Sequence, residues 1–123
     1  MYKRQVASAD VDYINMHGTA SQVNDRIESL AIARNFSAST LISSTKGWTG
    51  HALGAAGILE AVITLEAMRH EQVPGTLHCE QADPEFAFSV LKENVAKNVR
   101  YAMTNSFGFG GNNAALLFGH AND

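Results

Sequence analysis

The chain has 123 residues, 46% of them hydrophobic and 17% charged, which is the make-up of a single globular domain with a real core and not of a disordered segment. A formal net charge of −3 with no basic cluster excludes a phosphate-backbone binder, and no apolar run reaches membrane-spanning length. A lone cysteine, Cys79, excludes an internal disulfide and suits a reducing compartment, so a cytoplasmic α/β module is expected.

In chain order, Val11, Tyr13 and Ile14 within "DVDYINMHGT" predict a short strand that breaks at His17-Gly18-Thr19. "SQVNDRIESLAIARNF" carries Val23, Ile27, Leu30, Ala31 and Ile32 at helical spacing, with Asn24 and Asp25 near its start. "TLISST", Thr40 to Thr45, is β-branched and short, and predicts a second strand. From His51 to about Gln72 the pattern is helical, with so few polar positions that a largely buried helix is expected. Pro74-Gly75 stops it. "TLHCEQADPEFAFSVLKENVAKN" shows no period and predicts a long surface connection with a turn at Asp83-Pro84. The segment "VRYAMTNSFGFGGNNAALLFGHA" predicts strand, glycine loop and strand, paired as a hairpin. Strands alternating with helices indicate a layered α/β fold.

Chemistry-bearing residues gather at the strand ends. His17 follows the first strand, Lys46 the second, and His51 stands at the entry of the long helix. In open α/β sheets the carboxyl ends of strands meet at the ligand crevice. A histidine at a helix N-terminus is held neutral and can donate an N–H to a developing oxyanion. One His-Gly after a strand is ordinarily a turn; two such junctions, one with a lysine, leave a plain turn and a site equally open. Asp, Glu and His show no metal-ligand spacing, so no metal site is expected. In "NSFGFGGNN", Gly108, Gly110 and Gly111 permit unusual backbone angles and close approach of a ligand to main-chain N–H groups. Phe107 and Phe109 either line an apolar tunnel or cap the core. Within "SSTKGWTGHALGAAG", Gly47 and Gly50 let the chain turn around Trp48, expected as a packing wedge, while Gly54 and Gly57 allow close approach of another layer.

Three stretches, "VDYINMHGTAS..ND..E", "SSTKGWTGHALGAAGILEA" and "NSFGFGGNNAALLF", together resemble the C-terminal motifs of the β-ketoacyl-acyl-carrier-protein synthases, from about Val11 to Phe118. The resemblance implies that residues 1–123 are part of the C-terminal half of such a domain, with a thiolase-like fold of α-β-α-β-α layers, a mixed sheet and a buried helix. It implies decarboxylative Claisen condensation in fatty acid or polyketide synthesis, with no directly bound cofactor and a substrate carried on the phosphopantetheine of acyl carrier protein. His17 and His51 match the active-site histidines, and Lys46 and Glu60 a buried ion pair. The backbone N–H of Phe109 matches an oxyanion-hole donor, and Phe107 and Phe109 the loop gating the acyl pocket. Thr19 and Ser21 match the hydroxyls that hold the pantetheine arm, with serine standing where threonine is commoner.

Two departures accompany the resemblance. Asn112 stands where the family usually has threonine, and the nucleophilic cysteine, which belongs to the family's N-terminal half, is absent. Cys79 falls outside the motifs, as do His70, His78 and His120, which read as solvated. The family's C-terminal sheet has five strands, of which the chain lacks the first, expected at the middle of the sheet. Unpaired strands on either side of that gap would make the chain unstable or drive pairing as a homodimer or with a complementing N-terminal part. The chain alone is thus expected to be inactive. The alternative is a non-catalytic partner subunit resembling a chain-length factor; retention of His17, Lys46, His51 and Glu60 argues against it. Thiolase proper fits poorly, because its second cysteine is missing.

Overall fold

The computed structural model describes residues 6–121. β1 (Tyr13–Asn15) leads into α1 (Gln22–Asn35), and β2 (Leu41–Ser43) into the four-residue α2 (Lys46–Thr49). A 3-10 turn, Leu53–Ala55, introduces α3 (Ala56–His70). β3 (Gln72–Val73), β4 (Val95–Ala96), β5 (Tyr101–Phe107) and β6 (Asn113–Gly119) follow. One sheet runs in the order β2-β1-β5-β6, and β3 pairs with β4 in a separate antiparallel ribbon.

β1 is parallel to both neighbours, with Ile14 opposite Ile42 on one side and Met103 on the other. Parallel neighbours need a crossover, and α1 supplies it between β1 and β2. β5 and β6 form the expected hairpin, from the pair Tyr101–Gly119 to the pair Phe107–Asn113. Alternation along β1 splits the core in two. Tyr13 packs with Ala67, Met68, Val73, Val99 and Ala102 on the α3 side. Ile14 packs with Val11, Met16, Ile32 and Ile42 on the α1 side.

The expected break in the middle of the sheet does not exist. β1 and β5 are directly hydrogen-bonded neighbours, and the unpaired edge is the outer side of β6. The register of β1 against β5 closes the sheet because both strands feed apolar residues to the same two layers, Tyr13 and Ala102 to one, Ile14 and Met103 to the other.

Both long helices depart from their expected orientation. On α1, Val23, Ile27 and Leu30 are exposed, whereas Glu28, Ser29 and Ile32 are buried. α3 begins at Ala56, not at His51, and only one face is buried, through Ala56, Glu60, Ala61, Thr64, Ala67 and Met68. Its opposite face presents Ile58, Val62 and Leu65 to solvent. α3 ends on Glu71 in the left-handed conformation, whose N–H caps the carbonyls of Ala67 and Met68.

The long connection is more than a surface loop. The Leu91 N–H donates to the Ile42 carbonyl at 2.8 Å and Thr76 N–H to the Leu91 carbonyl at 2.8 Å, so the strap lies along the β2 edge. Phe88 packs against the α1-side core from this strap. Trp48 is not a core wedge either: its ring is 54% exposed, and its indole N–H donates to the Gly75 carbonyl at 3.0 Å.

Candidate active site

The site forms where β1, β2 and β5 end together. Immediately after β1 the chain turns through Gly18, whose φ of +38° and whose would-be Cβ, 2.6 Å from the Ser44 Cβ, leave no room for a side chain. Ser44 Oγ closes the turn by donating to the Gly18 carbonyl at 2.8 Å. Glu28, buried on α1, receives the N–H groups of His17 at 2.9 Å and Gly18 at 3.0 Å, and the Asn105 amide at 3.1 Å from β5. One carboxylate thus ties helix, turn and hairpin together. Burial pushes the Glu28 carboxyl above its ordinary range, and the Gly18, Asn105 and His17 donors oppose that push. Glu28 stood at the end of the quoted "ND..E" pattern, but nothing in the sequence alone showed that its partners would be main-chain donors.

Lys46, at the start of α2, makes an ion pair with Glu60 of α3, with side chains only 7% and 2% exposed. Its ammonium also donates to the His17 carbonyl and lies 3.4 Å from His17 Nδ1. The expected buried pair therefore exists, and it also holds His17. Glu60 Oε2 and Thr104 Oγ1 are buried without a hydrogen-bond partner, and burial pushes the Glu60 carboxyl upward against the pull of Lys46. Beneath them Asn15 Nδ2 contacts Thr45 Oγ1 at 3.2 Å and Thr64 Oγ1 at 3.4 Å, a buried polar layer joining β1, β2 and α3.

His17 and His51 stand with ring centroids 5.6 Å apart and planes at 89°. The His17 imidazole is pushed down to about 4, chiefly by burial and then by the Lys46 charge. His51 does not sit at a helix N-terminus: α3 starts five residues later, and the position is set instead by the Leu53 N–H, which donates to His51 Nδ1 at 3.1 Å. The helix-dipole argument for His51 is therefore replaced by a main-chain hydrogen bond. Each Nδ1 faces a donor, Lys46 Nζ in one ring and Leu53 N–H in the other, which leaves Nε2 as the nitrogen of each ring suited to donate.

Two cavities meet at this point, sharing Thr19, Ser21 and His51 on their walls. Thr19 Oγ1 donates to Ser21 Oγ at 3.1 Å. One cavity, of about 570 Å³, runs between the Gly18 turn and the strap and includes Lys46, Leu77, Cys79 and Phe86. Cys79 is thus nearer the site than its sequence context suggested. The other, of about 930 Å³, lies between the start of α3 and the hairpin turn and includes His17, Phe107, Gly108, Phe109 and Asn112. Phe107 meets the His17 ring at 5.4 Å, whereas Phe109 is 94% exposed, so neither caps the core as a pair. Gly110 and Gly111, with φ of +77° and +81°, shape the turn without standing on the cavity wall. His70, His78 and His120 are exposed, as expected, but His78 stands beside Cys79 on the wall of the 570 Å³ cavity, whereas His70 and His120 line neither cavity. Among the described residues no helix is long and apolar enough to cross a membrane.

Residues 1–80, which contain His17, Lys46, His51 and Glu60, match the family model described as β-ketoacyl synthase, C-terminal domain. The chain belongs to the β-ketoacyl synthase family. This β-ketoacyl synthase chain is 47% identical over 115 residues to the mitochondrial 3-oxoacyl-[acyl-carrier-protein] synthase of Arabidopsis thaliana, covering 88% of itself and 25% of that protein. It is 39% identical over 116 residues to 3-oxoacyl-[acyl-carrier-protein] synthase 2 of Mycobacterium tuberculosis, covering 93% of itself and 28% of the relative. Among solved structures it superposes on a β-ketoacyl synthase from Burkholderia phymatum with a TM-score of 0.86 at 39% identity, over 91% of this chain and 28% of that one. It superposes on the ishigamide ketosynthase/chain length factor with a TM-score of 0.88 at 34% identity, over 93% of this chain and 29% of that one. The fold is thus that of the thiolase-like ketosynthases, and this β-ketoacyl synthase domain spans between a quarter and a third of the length of these relatives.

Proposed function

We propose that the chain supplies the decarboxylation half of a condensing site acting on malonyl groups carried by acyl carrier protein, with no other cofactor bound directly. The observation that carries this reading is the pair of imidazoles, ring centroids 5.6 Å apart, whose Nδ1 atoms each face a donor, leaving Nε2 as the donor nitrogen of each ring. When the malonyl thioester loses carbon dioxide, the bonding electron pair moves into the thioester and places negative charge on its oxygen. Two fixed N–H donors aimed at the position of that oxygen stabilise the oxyanion. Holding His17 neutral keeps it a donor and not a competing acid. The carbanion then attacks an acyl thioester, forming the carbon–carbon bond and expelling thiolate. The Phe109 N–H is assigned to the acyl carbonyl, Thr19 and Ser21 to the pantetheine arm, and Phe107, Gly110 and Gly111 to the loop beside the acyl chain.

Cys79 is the chain's only cysteine and lies on the cavity opposite the hairpin, so the acyl-carrying thiol is assigned to a complementing N-terminal part of the enzyme. The chain alone is then inert, and its working partners are that part, a homodimeric mate and acyl carrier protein, in the cytoplasm. The presence of all four of His17, Lys46, His51 and Glu60 in contact favours this over a non-catalytic partner subunit. The test is carbon dioxide release from malonyl-acyl carrier protein by the chain alone and by the chain joined to the N-terminal part of a relative. Release is expected only from the joined protein, falling about 10²–10³-fold in His17→Ala or His51→Ala. Release by the isolated chain would overturn its assigned inertness, and unchanged release in both variants would overturn the reading itself.

A further inference from the structure

We propose that Phe107 is a positioning residue for His17, fixing the plane of its ring and screening it from water, so that the conformation of the hairpin turn sets the protonation of the histidine. The His17 backbone is held on both sides, by Glu28 at its N–H and by Lys46 at its carbonyl. The ring is held less firmly: Lys46 Nζ is 3.4 Å from Nδ1, and the remaining freedom is rotation about the Cβ–Cγ bond. Two rings limit that rotation, His51 at 5.6 Å and 89°, and Phe107 at 5.4 Å and 67°. His51 is exposed and its own ring is polar, so Phe107 is the hydrocarbon wall on His17 from the β5 side.

Phe107 is also the last residue of β5. Gly108 follows, donates its N–H to the Asn112 carbonyl at 2.7 Å, and leads into the turn at Gly110 and Gly111. A shift of that turn pulls on the Phe107 backbone directly, and because both residues line the 930 Å³ cavity, a displaced ring exposes more of His17 to it. The turn is thereby linked to a histidine far away in the chain through the contact of the Phe107 and His17 rings.

The charged and titratable surroundings of His17 are the Lys46 ammonium from α2, backed by Glu60 from α3, His51 from the loop before α3, and Asp25 and Glu28 from α1. Lys46 and His51 disfavour an imidazolium and Asp25 favours one, but burial is the largest influence. Loss of the Phe107 ring removes part of that burial and leaves every one of these charges in place. This distinguishes the aromatic contact from the electrostatic ones.

The inference rests on the proposed function for its purpose, since a neutral Nε2–H donor is what decarboxylation requires, but its test needs no turnover. The His17 imidazole is titrated by NMR in the full chain and in Phe107→Ala, Phe107→Leu and Phe109→Ala, with far-ultraviolet circular dichroism as the check of folding. Phe107→Ala is expected to raise the His17 pKa by about one unit, and Phe107→Leu by less. Phe109→Ala, which removes a ring already in solvent, is expected to leave it where it was. Should Phe107→Ala fail to fold, Phe107→Leu and the pH profile of diethyl pyrocarbonate labelling at His17, read by peptide mapping, decide the matter in dilute protein. An unchanged His17 pKa in the folded Phe107 variants, or an equal shift in Phe109→Ala, overturns the proposal.

Discussion

The Lys46–Glu60 pair sets the balance of charge at the site, and its position makes the two residues unequal to their parts. Removing one partner strands the other in a layer where side chains are 7% and 2% exposed. Lys46→Met should therefore cost about 3–5 kcal/mol, whereas the double variant Lys46→Met/Glu60→Leu should recover most of it, because burying no charge is cheaper than burying one. Urea midpoints of the wild type, the single and the double variant check this; a double variant no better than the single refutes it. At the same scale the sequence was legible where a residue type had one plausible task. His17, Lys46, His51 and Glu60 converge as their motifs implied. Glu28 was not legible, because a carboxylate on a helix reads as solvated until its four donors, two of them main-chain, are known.

At the scale of elements, apolar spacing located the helices but not their faces. Val23, Ile27 and Leu30 on α1, and Ile58, Val62 and Leu65 on α3, each repeat at four and three residues and each face solvent. α3 is apolar on opposite sides, so a periodicity argument could place it in a core but could not tell which side the sheet would take. The outcome is a measurable contrast. Ile32→Ala, inside the α1-side core, should cost about 2–5 kcal/mol. Val62→Lys, on the outer face of α3, should change stability by no more than about 0.5 kcal/mol and raise solubility. Chemical denaturation of both, with light scattering of the second, distinguishes them; a large loss in Val62→Lys would mean that its face is already covered. The strand ends were read from β-branched residues, but strand order was not, since the adjacency of β1 and β5 depends on residues about ninety positions apart meeting in two cores.

For the whole molecule, the site and the open surfaces lie on one construction. The sheet is continuous, yet β6 is an edge strand with Leu116 and Leu117 exposed on its two faces and no charge or proline in Asn113–Gly119 to blunt it. Concentration-dependent association is expected, read by sedimentation, and should weaken in Leu117→Lys; a strictly monomeric wild-type chain would contradict it. Acidity acts on the same molecule through His17. Its folded value lies below its unfolded one, so between about pH 6.5 and about 4 the unfolded chain binds more protons and stability falls as pH is lowered. Glu28 and Glu60 are shifted upward, so the folded chain binds more protons than the unfolded one above the ordinary carboxylate range, and they draw stability down as pH rises. His17→Asn should remove the acid-side loss alone, seen as a flatter plot of urea midpoint against pH in that window; a slope equal to that of the wild type would assign the loss elsewhere.

Tyr13 gives the fold a gauge of its own. Its phenol is fully buried at the centre of the sheet, bonded to Ser43 Oγ at 2.9 Å, and burial pushes its ionisation well above that of a free tyrosine. In moderately alkaline solution Tyr13 keeps its proton for as long as β1 stays in place and surrenders it when the sheet opens. The red-shifted absorbance of tyrosinate then reports, with no dye and no engineered label, the moment at which the strand leading to the first histidine lets go.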